Sequence, residues 1–182
     1  SNHNRDKETV FKLIDATADA GFDAVKFQIY DAEEAFSKNE MTTDVGLDHL
    51  YGDKPWWEIA RDKILMPREW FGEMFEYAKI KKLIPLSAIH RPEDCEFLLQ
   101  FGLSAIKIAS IDFTYYQLLE SITKKFDLPI IISSGMANQK EIENTINFLK
   151  KNNANQVCLL HCTSCYPPNN NELNLNNIVH LK

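Results

Sequence analysis

"AIKIASIDF", at residues 105–113, is an apolar, β-branched run with a lysine near its centre. A second run, "DAVKFQIY" at 23–30, holds Lys26 in the same way. Runs this apolar are typical of strands that are covered on both faces, as in a parallel sheet. A lysine buried there loses its hydration, and only a counter-charge or a set of hydrogen bonds replaces that hydration. The two runs therefore predict that Lys26 and Lys107 bind an anion.

Strands and helices alternate along the chain. Apolar runs begin near residues 23, 84, 105, 129 and 156, and the predicted helices lie at 7–20, 67–82, 93–101, 115–125 and 139–151. Such alternation predicts right-handed βαβ units and a parallel sheet. A doubly wound sheet and a (β/α)8 TIM barrel both satisfy this pattern, but polar residues at every strand end favour the barrel. A complete barrel needs eight units and about 250 residues, so the sequence predicts a truncated barrel.

The segment 31–66 is long for a connection between a strand and a helix. It contains the aromatic residues Tyr51, Trp56 and Trp57. We expect either a lid over the carboxyl ends of the strands or a variable excursion whose aromatic side chains pack on the edge of the barrel.

Polar side chains recur where the predicted strands end. Lys26 and Gln28 share one side of their strand because side chains alternate with period two. The other strand ends carry Lys107, Ser110, Asp112, Ser133, Ser134, Thr163, Ser164 and Tyr166. Two lysines and several hydroxyl groups at one barrel mouth suit a phosphate or a carboxylate. The alternative is that each lysine forms a salt bridge with an Asp or Glu of the core.

The cysteines and histidines give weaker evidence of a functional site than the lysines do. Cys162 and Cys165 have the C-x-x-C spacing of zinc or redox sites, but no second pair completes a zinc site. Cys158 and Cys162 fall on one face of a predicted strand, so we expect these thiols to be packing residues. His161 is expected to be oriented by hydrogen bonds, and His3 is a candidate to face the site.

The composition fits one domain over residues 1–182, with 45% hydrophobic and 25% charged residues. The net charge of −6, with no basic stripe, argues against a nucleic-acid partner. No apolar run approaches the length of a membrane span and no signal peptide is evident, so we expect no membrane partner. Four cysteines do not make a disulfide framework in a chain of this size, and we expect a cytoplasmic protein.

Five stretches carry a family resemblance: "SNHNRD", "AGFDAVKFQIYDAEEAFSKN", "AIKIASIDF", "PIIISSGMA" and "LLHCTSCYPP". In this order they resemble the N-acetylneuraminate (sialic acid) synthase family, over nearly the whole chain. The resemblance implies a (β/α)8 barrel that condenses phosphoenolpyruvate with an N-acylmannosamine-type sugar. The products are a nine-carbon 2-keto acid and phosphate. A divalent metal, manganese or magnesium, polarises the sugar aldehyde in this family.

The resemblance also implies roles for the residues at the strand ends. The implied catalytic residues are Lys26, Lys107 and Asp112, and the implied substrate-binding residues are Gln28, Ser110, Ser133, Ser164 and Tyr166. The sequence departs from the family at Ala88, Asp112 and Ser164, where many members have threonine, glutamate and asparagine. Relatives that make legionaminic, pseudaminic or spore-coat sugars share the same motifs, so the sugar stays open.

The resemblance places strands 2–6 of the barrel in this chain and leaves strands 1, 7 and 8 missing. The family's metal-binding histidines and its C-terminal antifreeze-like (SAF) domain are then absent, so we name no metal ligand here. We expect residues 1–182 alone to be inactive, and the full-length protein to be a homodimer. Two alternatives are a related barrel that joins phosphoenolpyruvate to a phosphorylated aldose, and a degenerate barrel that binds an anionic sugar without turnover.

Overall fold

Helices and strands alternate in the computed structural model, which describes residues 2–165 and 167–181. The strands are β1 (Ala24–Gln28), β2 (Ile84–Ala88), β3 (Ile106–Ile108), β4 (Ile130–Ser133) and β5 (Val157–Leu160). The helices are α1 (Lys7–Asp19), α2 (Ala32–Ala35), α3 (Asp48–Tyr51), α4 (Trp56–Ile59), α5 (Phe71–Ile80), α6 (Pro92–Leu99), α7 (Tyr116–Lys125), α8 (Gln139–Lys151) and α9 (Asn177–His180). The predicted strands and long helices are confirmed to within a few residues.

Within the described residues, the strands form one five-stranded sheet in the order β1-β2-β3-β4-β5. The pairs from β2 to β5 are parallel, with Ala88 opposite Lys107, Ile108 opposite Ile132, and Ser133 opposite Leu160. A sheet in which neighbouring strands are also neighbours in sequence follows from consecutive right-handed βαβ units. The α/β class and the parallel sheet predicted from the sequence are confirmed.

The chain divides into two compact units, of which the first ends at Pro85. In the first unit, α1 begins at an N-cap where the Asp6 carboxylate accepts from the Thr9 backbone N–H at 3.0 Å. The helix ends before Gly21, whose φ of +76° favours glycine. Its buried face includes Ile14, and the ring of Phe27 from β1 stacks on that of Phe75 from α5.

The second unit begins at Leu86 and contains β3 to β5 with α6 to α9. All three residues of β3 are buried, as the sequence predicted for a strand covered on both faces. Helix α8 begins with a capping box, in which the Asn138 side chain accepts from the Glu141 backbone N–H at 3.0 Å. The Glu141 carboxylate accepts from the Asn138 backbone N–H at 2.8 Å.

The segment 31–66 forms a hydrogen-bonded excursion within the first unit. Thr42 is fully buried, and its hydroxyl donates to the Gly52 carbonyl at 2.5 Å and accepts from the Lys54 backbone N–H at 3.0 Å. Phe36 packs between Tyr30 and Trp56, with ring centroids 6.0 Å and 5.8 Å apart. Aromatic side chains of the segment thus pack on one another, and the choice between a lid and an excursion stays a prediction.

Two strands are more exposed than the sequence predicted. In β1, Lys26 and Gln28 are exposed, so the prediction of a strand covered on both faces is wrong there. In β5, Cys158 is exposed and Leu160 is 36% exposed. Cys162 lies beyond the end of β5, so it does not share a strand face with Cys158. One face of each of these strands has less cover than a central strand such as β3.

Candidate active site

Lys107 is a buried cation in the second unit. It lies in β3 and is 8% exposed. Its Nζ donates to the Ser133 hydroxyl oxygen and to the Ile108 carbonyl, both at 2.6 Å. Ser133 ends β4, the strand parallel to β3. The register of these two strands therefore brings an ammonium and a hydroxyl from two separate sequence motifs into direct contact.

Two further predicted hydroxyl groups meet at Gly135, just after β4. The Gly135 backbone N–H donates to the Ser110 hydroxyl oxygen at 3.1 Å. A Cβ built on Gly135 would lie 2.6 Å from Ser164 Oγ, 3.0 Å from Ser110 Oγ and 3.2 Å from Cys162 Cβ. Gly135 is thus flanked by the side chains of Ser110 and Ser164, and any side chain at this position would displace them.

Ser134 has a different role from its neighbour. Its hydroxyl donates to the Leu160 carbonyl at 3.1 Å, and its backbone N–H donates to the same oxygen at 3.0 Å. These bonds join the end of β4 to the end of β5, so Ser134 supports the sheet.

Asp112 pairs with a histidine that the sequence analysis did not select. His90 Nδ1 lies 2.7 Å from Asp112 Oδ2, and the two side chains are 13% and 14% exposed. His90 follows β2, and Asp112 ends the short 3-10 helix that follows β3. The sequence signal that could have identified His90 is its position, two residues after the strand that ends in Ala88. Among the scattered histidines, only the pairing of β2 with β3 distinguishes this one.

Lys26 and Gln28 belong to the first unit, where they line a cavity of about 260 Å³ together with His3. Desolvation lowers the pKa of the Lys26 ammonium below its ordinary value, although the residue as a whole is exposed. His3 is buried, and its Nδ1 accepts from the Arg5 backbone N–H at 3.0 Å. Burial is the main cause that lowers the pKa of this imidazole. The first unit thus places His3 in the same cavity as two predicted site residues.

Tyr166 lies outside the residues that the structure describes. His161 is oriented by a hydrogen bond, as predicted, with Nε2 2.8 Å from the Leu173 carbonyl oxygen. All four cysteines are free thiols. Within residues 2–165 and 167–181, no group of three or more His, Cys, Asp or Glu side chains could hold a metal ion.

Replacing both Cys162 and Cys165 by alanine in the full-length gene product is expected to leave kcat unchanged. Alanine keeps the Cβ of Cys162, which is the atom beside Gly135, and removes only the two thiols. Turnover is measured on the wild type and the double variant, and zinc is measured after the wild type is unfolded. Stoichiometric zinc release would show that the C-x-x-C pair binds a metal.

Comparison with known proteins places this arrangement in a family. Residues 13–182 match the NeuB family. The chain belongs to the NeuB family. The resemblance to sialic acid synthases is therefore confirmed, and the solved relatives of this NeuB chain are TIM-barrel-like synthases.

Individual relatives agree with this assignment. An N,N'-diacetyllegionaminic acid synthase of Campylobacter jejuni is 35% identical, over 100% of this chain and 54% of its own length. A pseudaminic acid synthase of the same species is 30% identical, over 100% of this chain and 52% of its own length. The crystal structure of an N-acetylneuraminic acid synthetase from Leptospira borgpetersenii in complex with citrate has a TM-score of 0.81 and 30% identity, and the match covers 99% of this chain and 57% of that one. The NeuB chain thus spans about half the length of the curated relatives it matches.

In the part of the chain that the structure describes, every helix is too short or too polar to cross a membrane.

Proposed function

We propose that the protein acts as a sialic-acid-type synthase, which condenses phosphoenolpyruvate with an N-acylmannosamine-type sugar. The observation that carries the proposal is the buried contact between Lys107 and Ser133 on adjacent strands of a NeuB-family chain. An ammonium fixed beside a hydroxyl group is suited to a phosphate or a carboxylate, and phosphoenolpyruvate carries both. The Leptospira relative was solved with citrate, which is also a carboxylate anion.

Three side chains of the second unit are assigned to phosphoenolpyruvate. Lys107 supplies the charge, while Ser133 and Ser110 supply hydroxyl donors. Gly135 has no side chain, which lets the hydroxyl groups of Ser110 and Ser164 lie close to its backbone. Lys26 is assigned to the same substrate, because the residue lines a cavity and its ammonium is partly desolvated. A partly desolvated ammonium gains more from an anion than one in bulk water does.

The reaction forms one carbon–carbon bond and releases phosphate. C3 of phosphoenolpyruvate attacks the sugar aldehyde, whose oxygen gains a proton. Water adds at C2, and the bond from C2 to the phosphate oxygen breaks, so that phosphate leaves and a 2-keto acid remains. Asp112 is assigned to the sugar as a catalytic carboxylate, and the same sugar is assigned to Gln28, Ser164 and Tyr166. Electrostatic stabilisation of the leaving phosphate is the task of Lys107.

The family resemblance implies a divalent metal. Among the described residues, no group of His, Cys, Asp or Glu side chains could hold it. No step of the proposed reaction is therefore assigned to a metal held by these residues. Side chains of this chain bind and orient the two substrates.

A degenerate barrel that binds an anionic sugar without turnover is the second candidate, and Ala88 is the observation that favours it. Ala88 is 3% exposed and lies opposite Lys107 in the neighbouring strand. It places a methyl group where many relatives have a threonine hydroxyl. Loss of one hydrogen bond to the charged phosphate costs roughly 1.5–3 kcal/mol, which lowers affinity without abolishing it.

The function is tested by phosphate release from phosphoenolpyruvate in the full-length gene product, with Mn²⁺ or Mg²⁺ and a panel of N-acylmannosamines and diacetamido sugars. We expect release with at least one sugar, and mass spectrometry of the product identifies the keto acid. Residues 1–182 alone are expected to release none. Binding of phosphoenolpyruvate without release would favour the degenerate barrel, and absence of binding would contradict both candidates. The cytoplasmic location and the homodimer stay predictions.

A further inference from the structure

The pair formed by His90 and Asp112 joins the ends of two adjacent parallel strands. His90 follows β2 and Asp112 follows β3, and the register places Ala88 opposite Lys107 just before them. The 2.7 Å separation of His90 Nδ1 and Asp112 Oδ2 is typical of a hydrogen bond that involves a charged group. Both side chains are nearly buried, so competition from water is reduced.

Other charged side chains on the same elements have different partners. Arg91, at the start of α6, donates from Nη2 to Asp94 Oδ1 at 3.1 Å. Lys107, on β3, donates to Ser133 and to the Ile108 carbonyl. Among the residues that the structure describes, His90 is the side-chain partner of the Asp112 carboxylate.

We propose that His90 is a positioning residue for Asp112, which it holds by one carboxylate oxygen. The proposal rests on the proposed function, in which Asp112 faces the sugar. A hydrogen bond at Oδ2 restricts the rotation of the carboxylate, so Oδ1 is presented to the substrate in fewer orientations. Correct placement of a reacting group accounts for a large part of enzymatic rate enhancement. His90 acts on the reaction through Asp112 and touches neither phosphate nor carboxylate of phosphoenolpyruvate.

The test uses two substitutions at His90 in the full-length gene product. His90→Phe keeps a planar ring but removes both nitrogens, whereas His90→Asn places an amide N–H near the position of Nδ1. We expect His90→Phe to lower kcat by about tenfold to a hundredfold, since the lost bond is to a charged group. The KM for phosphoenolpyruvate stays within about twofold, because Lys107 and Ser133 are unchanged. His90→Asn is expected to recover most of the lost kcat.

A double-mutant cycle with Asp112→Ala, which removes both carboxylate oxygens, separates positioning from a general effect on the fold. If His90 acts through Asp112, adding His90→Phe to Asp112→Ala costs little further kcat. Equal losses in both backgrounds would overturn the proposal. Thermal melts of every variant monitor folding, and His49→Phe, at an exposed histidine of α3, is the matched control. His49→Phe is expected to keep the wild-type kcat.

The experiments distinguish a failure of the proposed function from a failure of the role proposed for His90. If the wild type releases no phosphate with any sugar of the panel, the proposed function fails and this inference fails with it. If the wild type turns over and His90→Phe turns over equally fast, only the role of His90 is overturned. A parallel loss of kcat and of melting temperature in both His90 variants would show a purely structural role.

Discussion

Replacing Lys107 by methionine in the full-length gene product is expected to weaken phosphoenolpyruvate binding by about tenfold to a hundredfold. A hydrogen bond from a charged group contributes roughly 1.5–3 kcal/mol, and each 1.4 kcal/mol or so corresponds to tenfold. Methionine retains an unbranched apolar stem in β3, but it lacks the ammonium that contacts Ser133. Turnover falls with affinity while the fold persists, because Ile106 and Ile108 on either side remain buried.

Thermal melts with and without phosphoenolpyruvate distinguish substrate binding from a structural role for Lys107. A site lysine predicts a nearly unchanged melting temperature without ligand and a reduced stabilisation by phosphoenolpyruvate. A structural lysine predicts a much lower melting temperature with the ligand effect intact, and that result would contradict our assignment. Lys151→Met, at an exposed position where α8 ends, is the control and should match the wild type in both measurements.

Replacing Asp112 by asparagine is expected to lower kcat by about a hundredfold or more, the range found when a general acid or base is removed. The side chain keeps its shape and can still accept a hydrogen bond from His90, so a loss of kcat reports the missing negative charge. Stabilisation by phosphoenolpyruvate should persist, because Lys107 and Ser133 are untouched.

Steady-state kinetics on Asp112→Asn and on a control, Asp19→Asn, check this expectation. Asp19 is an exposed aspartate at the end of α1, and its replacement should not change kcat. A kcat for Asp112→Asn within about threefold of the wild type would show that Asp112 orients the sugar without taking part in the chemistry.

Local patterns predicted most of the fold. The capping box at Asn138 and Glu141 marks the start of α8 because both hydrogen bonds connect residues three apart in the sequence. The strands were recognised for a similar reason, since each is a continuous apolar run between helical patterns. These signals depend only on neighbouring residues, and the structure confirms them.

The exposure of a strand depends on the elements that pack over it. The sequence of the strand itself does not specify those elements. The run around Lys26 is as apolar as the run around Lys107, yet Lys26 is exposed and Lys107 is buried. The prediction of equal burial is wrong, because β3 is paired with β2 and with β4 and is fully buried, whereas β1 has two exposed residues. Composition of the strand alone did not distinguish the two lysines.

The pairing of His90 with Asp112 shows a second limit of sequence reasoning. The two residues are 22 positions apart, and nothing near either one indicates the other. Their contact follows from the parallel register of β2 with β3, which is a tertiary property. Gly135 is similar, since its neighbours Ser110 and Ser164 come from two other strand ends. The presence of polar side chains at strand ends could be predicted from the sequence. The contacts between particular side chains could not.

The distribution of thiols makes the second unit selectively open to chemical labelling. All four cysteines follow residue 85, so a maleimide dye attaches to none of the first unit. Cys95 is buried, and burial raises the pKa of its thiol to about 12, which keeps it unreactive near neutral pH. Cys158 and Cys165 are exposed and remain accessible to the reagent. Once Cys158 and Cys162 are replaced by serine, a fluorophore on Cys165, next to Ser164 in the sequence, would report on substrate arrival without a new cysteine having to be introduced.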